Sequence, residues 1–439
     1  MPTNRHEQFL RALPSDWEKV PINQLGAIHS GGTPSRDVPS FWNGAIPWVT
    51  PGEFASLTDK WLTETRECIT EAGLANSAAK LLPRGSLLVT TRATVGAVAL
   101  AAMPVCTNQG FKSVVPDQLA DSEFYYYLFQ LLTPEFTRLA SGSTFVEISR
   151  QDFSGIVVPR PPLPEQRRIA EILDSIDAAI QQTEALIAKL KMMKAGLLHD
   201  LLTRGLDEHG QLRDPGAHPG EFKDSPLGKI PRQWALGTIR SVSRLVTKGT
   251  TPTTYGHHYA ADGVLFLRVE NLTEDGAVGS GEVVFISRAA HRFLRRSQLE
   301  AGDVLISIAG TIGRVGLIPA SSLPANINQA LALVRVDISC MEPEFLRFFL
   351  TSEAGKRVLF SQTVQLAQAN LSLGQIANAQ IPVPSPTEQR RIVSVLFAHE
   401  SRIRAEEDYC DKLKQLKKGL MHDLVTGRVR VNIRDEVQP

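Results

Sequence analysis

Several features are missing from this 439-residue sequence, and each absence excludes a class of protein. No apolar run approaches the roughly 18 residues that a membrane span needs, and residues 1–13 are too polar for a secretory signal. The four cysteines, Cys68, Cys106, Cys340 and Cys410, show no paired spacing, which fits a reducing cytoplasm and indicates no disulfide framework or metal motif. The net charge of +1 excludes a protein that binds nucleic acid through bulk charge. We therefore expect a soluble cytoplasmic protein of two to four domains.

Catalytic signatures are also missing. The sequence has no GxxxxGK[ST] phosphate loop, and Gly279-Ser280-Gly281 does not begin a strand–helix GxGxxG fingerprint. It has no Asn/Asp-Pro-Pro-aromatic motif of an adenine methyltransferase, and Pro116-Asp117 lacks the Glu-x-Lys of a common nuclease core. His199-Asp200 and His422-Asp423 recur, but neighbouring residues on a helix point in different directions, which favours helix-end capping or a subunit contact. We predict no catalytic residue, no metal ligand and no cofactor in this chain.

What the sequence does contain is an internal repeat. EQRRI stands at residues 165–169 and again at 388–392, and the ungapped segments 165–203 and 388–426 are identical at 18 of 39 positions. They end in GLLHDLLT and GLMHDLVT. A repeat of this length indicates two copies of one structural unit.

Both repeated segments are predicted to be long helices, because neither contains proline and apolar residues recur every three or four positions. At 1.5 Å per residue, 39 residues give about 58 Å of helix. One apolar stripe on such a helix needs a partner, and the other copy is the most available one. The predicted coiled-coil seam comprises Ile169, Ile172, Ile176, Ala179, Thr183, Leu186, Leu190, Met193 and Leu197 in the first helix, and Ile392, Leu396, Ile403, Leu413, Leu416, Leu420 and Leu424 in the second, where His399 and Glu406 interrupt it.

The segments before the helices correspond as well. Trp17 matches Trp234, residues 31–34 match 249–252, GSLLVTTRATVG at 85–96 matches GDVLISIAGTIG at 302–313, and Asn108-Gln109 matches Asn328-Gln329. Residues 87–91 and 304–308 are predicted strands, and 124–132 and 344–350 are predicted short helices. Each copy is therefore an α+β domain followed by a Pro-rich entry and a long helix.

These features divide the chain into six parts. They are a first domain at 1–156, a first helix with its Pro-rich entry at 157–204, a linker at 205–230, a second domain at 231–380, a second helix with its entry at 381–426, and a tail at 427–439. The tail and the start of the chain together occupy the place that the linker fills at mid-chain. We therefore expect the two ends to lie close together in a pseudo-symmetric ring.

The full ordered set of motifs resembles the specificity subunit of type I restriction–modification systems. PPLPEQRRI and PSPTEQRRI, LLHDLLTRG and LMHDLVTGR, and KDSPLGKIPRQW at residues 223–234 carry the resemblance, with the paired motifs above. The family implies an α+β fold with a pseudo-twofold repeat, in which two target-recognition domains each read one half of a split DNA sequence. It also implies two antiparallel long helices that separate the domains and carry two modification subunits. S-adenosylmethionine, ATP and Mg would then be bound by the modification and restriction subunits.

The net charge of each domain and the length of the two helices are relevant to DNA binding. Residues 14–150 contain 10 Lys and Arg against 13 Asp and Glu, net −3, whereas residues 231–375 contain 14 against 11, net +3. Neither domain has the basic surplus of a tight DNA binder, so we expect tight binding only with the modification subunits. Half-sites on one face of a duplex lie about 34 Å apart, and helices of about 58 Å are long enough to set that distance.

Comparison of the two copies divides the candidate DNA contacts into shared and divergent positions. Positions shared by both copies should be scaffold or phosphate contacts, and divergent polar positions should carry specificity. The asparagine–glutamine pairs suit adenine edges, although their recurrence favours a structural role. Arg92, which corresponds to Ala309, could pair with guanine, and each candidate could also be an ordinary exposed loop residue. The candidates are Ser35, Arg36, Arg92, Asn108, Gln109, Ser141, Ser143 and Thr144 in the first domain, and Lys248, Thr253, His257, His258, Asn328, Gln329, Gln365, Gln368 and Asn370 in the second.

Two alternatives remain from the sequence. A basic cluster, Arg288, Arg292, Arg295 and Arg296, would contact phosphates or form a solvated helix face. A coiled-coil scaffold without DNA contact would share the long helices, but it predicts no sequence-dependent DNA binding in any complex.

Overall fold

The chain consists of two units of similar architecture. The computed structural model describes residues 5–54, 57, 59–140, 147–273, 276–278, 282–360 and 370–432. The first unit comprises Met1–Glu184 and Asp408–Pro439, and the second comprises Ala185–Glu407. Each of two long helices, Leu163–Thr203 and Pro386–Val425, contributes one end to each unit.

The elements follow in chain order. In the first half the strands β1–β10 are Glu18–Pro21, Gly26–Ser30, Trp42–Val49, Trp61–Leu62, Glu67–Ile69, Leu87–Val89, Val98–Ala101, Cys106–Thr107, Lys112–Pro116 and Val157–Arg160. The helices α1–α7 of this half are Arg5–Arg11, Pro51–Phe54, Glu71–Ala75, Ser122–Leu131, Thr133–Leu139, Arg150–Gly155 and Leu163–Thr203. In the second half the strands β11–β22 are Phe222–Ser225, Gly228–Pro231, Ala235–Thr238, Ser243–Lys248, Tyr259–Ala260, Val264–Leu267, Phe285–Ile286, Val304–Ser307, Val315–Leu317, Ala325–Ile327, Leu331–Val336 and Gln380–Val383. The helices α8–α12 of this half are Arg288–Phe293, Pro343–Thr351, Glu353–Phe360, Leu373–Asn378 and Pro386–Val425. Among the described residues, no helix is long and apolar enough to cross a membrane.

The two units share their sheet topology. The order β2-β9-β6-β7 in the first unit matches β14-β21-β18-β19 in the second, and β5-β3-β8 matches β17-β16-β20. The pairing of β3 with β8 is parallel, as is that of β16 with β20. The predicted strands 87–91 and 304–308 are observed as the buried central strands β6 and β18. The duplication inferred from sequence is confirmed at the level of fold.

In each unit the core runs from the domain into a pair of long helices. Asp121 caps α4 by accepting hydrogen bonds from the backbone N–H groups of Glu123 and Phe124. The buried aromatic residues of α4 then share one apolar cluster with Ile169 at the start of α7 and Leu424 at the end of α12. In the second unit α9 packs in the same way with the start of α12 and the end of α7. The start of one long helix therefore lies beside the end of the other, which is the antiparallel arrangement that the resemblance implied.

The second residue of EQRRI joins each domain to its helix. The side-chain oxygen of Gln166 accepts a hydrogen bond from the Asp121 backbone N–H at 2.8 Å, and its amide nitrogen donates to the carbonyls of Leu119 and Pro161. Gln389 makes the same three contacts, to the N–H of Glu342 and the carbonyls of Cys340 and Pro384. Both glutamines are fully buried, so each is a fully satisfied polar joint inside an apolar junction.

The glutamate of EQRRI is buried against an arginine that comes from a different part of the chain in each unit. Glu165 accepts hydrogen bonds from the Trp17 indole at 3.0 Å and from Arg430 at 2.7 and 2.9 Å. Glu388 pairs with Arg213, with N–O distances of 2.6 and 3.3 Å. The tail residue Arg430 thus has the role that Arg213 has in the mid-chain segment. Arg430 also pairs with Asp16 at 2.8 Å, as expected if the two ends of the chain lie together.

The segment 205–230, predicted as a linker, contains ordered structure. Its residues form the hairpin β11–β12, with Phe222 opposite Pro231 and Ser225 opposite Gly228. Arg213, which lies in this segment, is buried. The Gly, Pro and Asp residues that suggested a linker instead occupy turns that hold Arg213 against Glu388.

The predicted seam is wrong at Met193 and Leu416, which are 48% and 49% exposed. After Leu190 in α7 and after Leu413 in α12, the buried stripe advances by four residues where the prediction advances by three, so Lys194 and Lys417 face inward. The Lys194 ammonium lies 2.7 Å from Glu400, and the Lys417 ammonium lies 2.6 Å from Asp177. A count of apolar residues misses these positions because a lysine stem packs on apolar surface while its charged end finds a partner.

Candidate nucleic-acid interface

A cluster of loops forms where β2 and β8 end in the first unit. The backbone N–H of Gly32 donates to the Thr107 carbonyl at 2.9 Å, and the Thr33 hydroxyl donates to Oε1 of Gln109 at 2.6 Å. The Gly31 backbone approaches so closely that a Cβ there would lie 2.0 Å from the Asn108 carbonyl oxygen. The two motifs, which lie far apart in the sequence, are thus in direct contact in the fold.

The second unit repeats this cluster. A Cβ on Gly249 would lie 2.1 Å from the Asn328 carbonyl oxygen, and the Thr251 hydroxyl donates to Oε1 of Gln329. Asn108 and Asn328 each accept a hydrogen bond from the backbone two residues ahead, at 2.8 and 3.1 Å. These local bonds are those expected of a scaffold role for the asparagines. Within this motif, the exposed glutamines are therefore the remaining candidates for DNA contact.

Gln109 and Gln329 are exposed, and each is held in one orientation by its threonine. No described residue accepts a hydrogen bond from their amide nitrogens. A positioned amide donor at the same place in two units suits a phosphate oxygen, which has the same chemistry at every DNA sequence.

Arg36 is held by its neighbours. Its guanidinium lies 3.8 Å from the ring centroid of Trp42 and makes two hydrogen bonds to the Glu67 carboxylate. The hydrogen bonds from Arg36 lower the pKa of Glu67. The adjacent Ser35 accepts a hydrogen bond from the Trp42 indole through its carbonyl, at 3.0 Å. In this loop aromatic and charged groups pack on one another, and the Arg36 side chain remains 55% exposed.

Arg92, which the sequence indicated as a candidate contact to guanine, is paired with an acidic residue in the fold. It lies 2.5 Å from Glu147, which also accepts a hydrogen bond from Lys112 at 3.0 Å. Burial raises the pKa of Glu147, but the hydrogen bonds and charges of Arg92 and Lys112 outweigh it, and the resulting pKa is lowered. The next residue, Ala93, has a φ of 58°, where the second unit has Gly310 with a φ of 74°. This left-handed alanine holds Arg92 at the head of a strained turn.

In the second unit the segment 253–258 contacts the basic helix α8. The rings of Tyr255 and His257 lie 5.5 and 5.1 Å from the ring of Phe293. Arg296 donates to the Thr250 hydroxyl at 3.5 Å. Thr253, His258 and Lys248 are exposed around them. The sequence indicated these two segments separately, and it missed Phe293, whose exposure of 57% is not visible in a hydrophobic pattern.

The remaining candidates lie towards the ends of the domains. Asn370 is exposed and precedes Leu371, whose backbone N–H donates to the Ile308 carbonyl at 3.0 Å beside the same loops. Ser141, Ser143, Thr144, Gln365 and Gln368 lie outside the described residues.

The clustered groups are hydrogen-bond donors, cations and exposed rings. No group of three metal-ligating side chains occurs among the described residues. Cations and planar donors on loops at one edge of a sheet suit a polyanion with hydrogen-bonding base edges. Each unit therefore presents one candidate surface for nucleic acid.

The two halves of the chain match the same family of known proteins. The family model described as type I restriction modification DNA specificity domain matches residues 14–192 and again 231–415. The type I restriction enzyme MjaIX specificity subunit of Methanocaldococcus jannaschii is 24% identical, over 98% of this chain and 97% of the relative. The MjaVIII specificity subunit of the same organism is 22% identical, over 95% of this chain and 94% of the relative.

Two solved structures share the fold. A chain from work on complex assembly and conformational transition of the type I R-M system aligns with a TM-score of 0.58 and 20% identity, covering 95% of this chain and 99% of that one. The type I restriction–modification S subunit of M. genitalium aligns with a TM-score of 0.56 and 16% identity, covering 97% and 98%.

Proposed function

Because this chain belongs to the type I restriction modification DNA specificity family, we propose that it is the subunit that selects the DNA sequence of a type I complex. It would bind a split, asymmetric target, one half at the loop cluster of each unit. The observation that carries the proposal is the recurrence of one loop cluster in two units whose charged side chains differ. A shared scaffold with different side chains suits recognition of two different half-sites.

We further propose that two modification subunits dock on the long helices and that restriction subunits join through them. α7 and α12 each contribute to both units, so a partner bound to them would be placed relative to both half-sites. S-adenosylmethionine, ATP and Mg would be held by those partners, and this chain would contribute no catalytic group. The free cysteines fit a proposed cytoplasmic location.

Methylation mapping tests the proposal. Co-expression of the chain with its modification subunits should methylate adenines in a motif of two short halves separated by a fixed unspecified spacer. Omitting the chain should abolish that methylation. Replacing residues 14–150 with the corresponding domain of a relative should change one half of the motif only. An uninterrupted motif, or methylation independent of this chain, would contradict the proposal.

Arg92→Ala should relax recognition at one base of one half-site, because a good arginine–guanine pair contributes about 1–3 kcal/mol of discrimination. Glu147 keeps Lys112 as a partner, so the fold should be retained. The measurement is the methylated motif of the variant complex, with Arg138→Ala as a control that removes an exposed arginine paired within one helix. An unchanged motif would remove Arg92 from the list of base-reading residues.

A further inference from the structure

The helix that follows β5 in the first unit and the helix that follows β17 in the second are the same element of the fold, but they differ in charge. Thr70 caps α3 and Ser287 caps α8, each by accepting a hydrogen bond at 3.1 Å from the backbone three residues ahead. Both elements adjoin the loop cluster. A Cβ on Gly32 would lie 2.4 Å from the backbone of Ala78 and Ala79, which follow α3, and Arg296, which follows α8, bonds to Thr250.

The charges of the two elements differ sharply. Residues 71–80 contain Glu71 and Lys80, net 0, whereas residues 288–297 contain four arginines and no acid, net +4. All four arginines are exposed, and no described carboxylate lies within ion-pair distance of Arg288, Arg292 or Arg295. Arg288 and Arg292 lie four residues apart, where like charges destabilise a helix by about 0.2–0.5 kcal/mol. Within the described fold nothing compensates this repulsion.

Two aromatic rings lie among these cations. Phe293 is 57% exposed and Tyr255 is 56% exposed, and their rings are in contact. The surface of this part of the second unit thus combines exposed rings with exposed guanidinium groups. They suit a partner that offers phosphates and, a few ångströms away, the apolar faces of sugars.

We propose that this basic–aromatic patch, formed by Arg288, Arg292, Arg295, Arg296, Tyr255 and Phe293, binds the DNA backbone beside the half-site of the second unit. Because α3 carries no such charge, anchoring to DNA is asymmetric: the second unit supplies most of the salt-dependent affinity. The patch contacts phosphates and sugars, so it strengthens binding without selecting a sequence. This inference rests on the proposed DNA-recognition function.

The test measures the salt dependence of DNA binding by the full chain assembled with its modification subunits. One variant replaces the four patch arginines with glutamine. A matched control, R240Q/R244Q/K356Q/R357Q, removes four exposed cations of the same unit elsewhere. Since each lost phosphate contact reduces the slope of log K against log salt by about 0.9, the patch variant should lose about 2 to 4 units and the control less than about 1.

Further variants distinguish the patch proposal from a base-reading role and from the absence of the proposed function. Replacing the four arginines with lysine should largely retain the slope, and Phe293→Ala should weaken binding by about tenfold with the slope unchanged. The methylated motif should be unaltered in every variant. An unaltered slope in the glutamine variant, with specific binding by the wild type, would overturn the patch alone. A changed motif would show base reading and overturn the backbone assignment. Wild-type binding without sequence dependence would instead overturn the proposed function.

Discussion

Replacing Glu400 with alanine should lower the free energy of unfolding by about 3–5 kcal/mol, because it leaves a buried cation without its partner. Glu400 lies between Arg347, at 2.8 and 3.1 Å, and Lys194, at 2.7 Å. The side chains of Glu400 and Arg347 are each 6% exposed. Lys194 is 21% exposed and can turn towards water, but Arg347 cannot. The measurement is chemical unfolding followed by tryptophan fluorescence.

Glu407→Ala provides the matched control. Its carboxylate lies 2.7 Å from Lys191, but the two side chains are 42% and 58% exposed, and exposed pairs contribute about 0–1 kcal/mol. A cost for Glu400→Ala as small as that of the control would show that the buried cluster is not a stabilising element.

The stability difference between the wild type and the Glu400→Ala variant should also depend on pH. Burial raises the pKa of Glu400, but the hydrogen bonds and charges of Arg347 and Lys194 outweigh it, and the pKa in the folded chain is lowered. A lowered pKa stabilises the fold above the ordinary glutamate pKa, and that contribution is lost as the pH falls through the folded value. The stability difference between wild type and Glu400→Ala should therefore shrink below about pH 4.5.

Glu388→Ala should destabilise the chain more than Glu165→Ala, although the two residues occupy the same position of the same motif. Arg213, the partner of Glu388, is 5% exposed, whereas Arg430, the partner of Glu165, is 43% exposed and also pairs with Asp16. We expect about 3–5 kcal/mol for the first change, which leaves a buried cation. For the second we expect about 1–3 kcal/mol, the cost of leaving the Trp17 indole without its acceptor.

Trp17 and Trp234 are buried near the two glutamates, so tryptophan fluorescence during denaturant unfolding reports on both sites. Equal losses for the two alanine variants would contradict the argument from arginine exposure. A Glu388→Gln variant, which keeps the shape and removes the charge, tests whether the loss comes from charge or from packing.

The sequence predicted the duplicated architecture because EQRRI, the loop glycines and the paired strands are local signals that recur in order. The predicted helices 165–203 and 388–426 differ from α7 and α12 by two residues or fewer at each end. The inward lysines were missed because a helical pattern counts apolar residue types, whereas Lys194 and Lys417 are placed by acids far away in the sequence. The burial of Arg213 in segment 205–230 was missed for the same reason, since its partner Glu388 lies 175 positions away in the sequence.

The candidate interface was predicted less completely. The glycine and Asn-Gln motifs were found because they recur, and the structure places them in contact. The partners of Arg36 and Arg92, Glu67 and Glu147, lie 31 and 55 positions away in the sequence, and no local pattern reports such a pairing. The proximity of Phe293 to residues 255–257 likewise depends on the fold.

The glutamine joint has a consequence for how such chains diversify. Gln166 and Gln389 bond only to main-chain groups, two in the preceding domain and one in the Pro-rich entry. Every polypeptide carries those groups, so the joint makes no demand on the side chains of the domain attached to it. An exchange of the domain upstream of EQRRI should therefore leave the hydrogen bonds of this glutamine in place, because any replacement domain supplies the same main-chain groups.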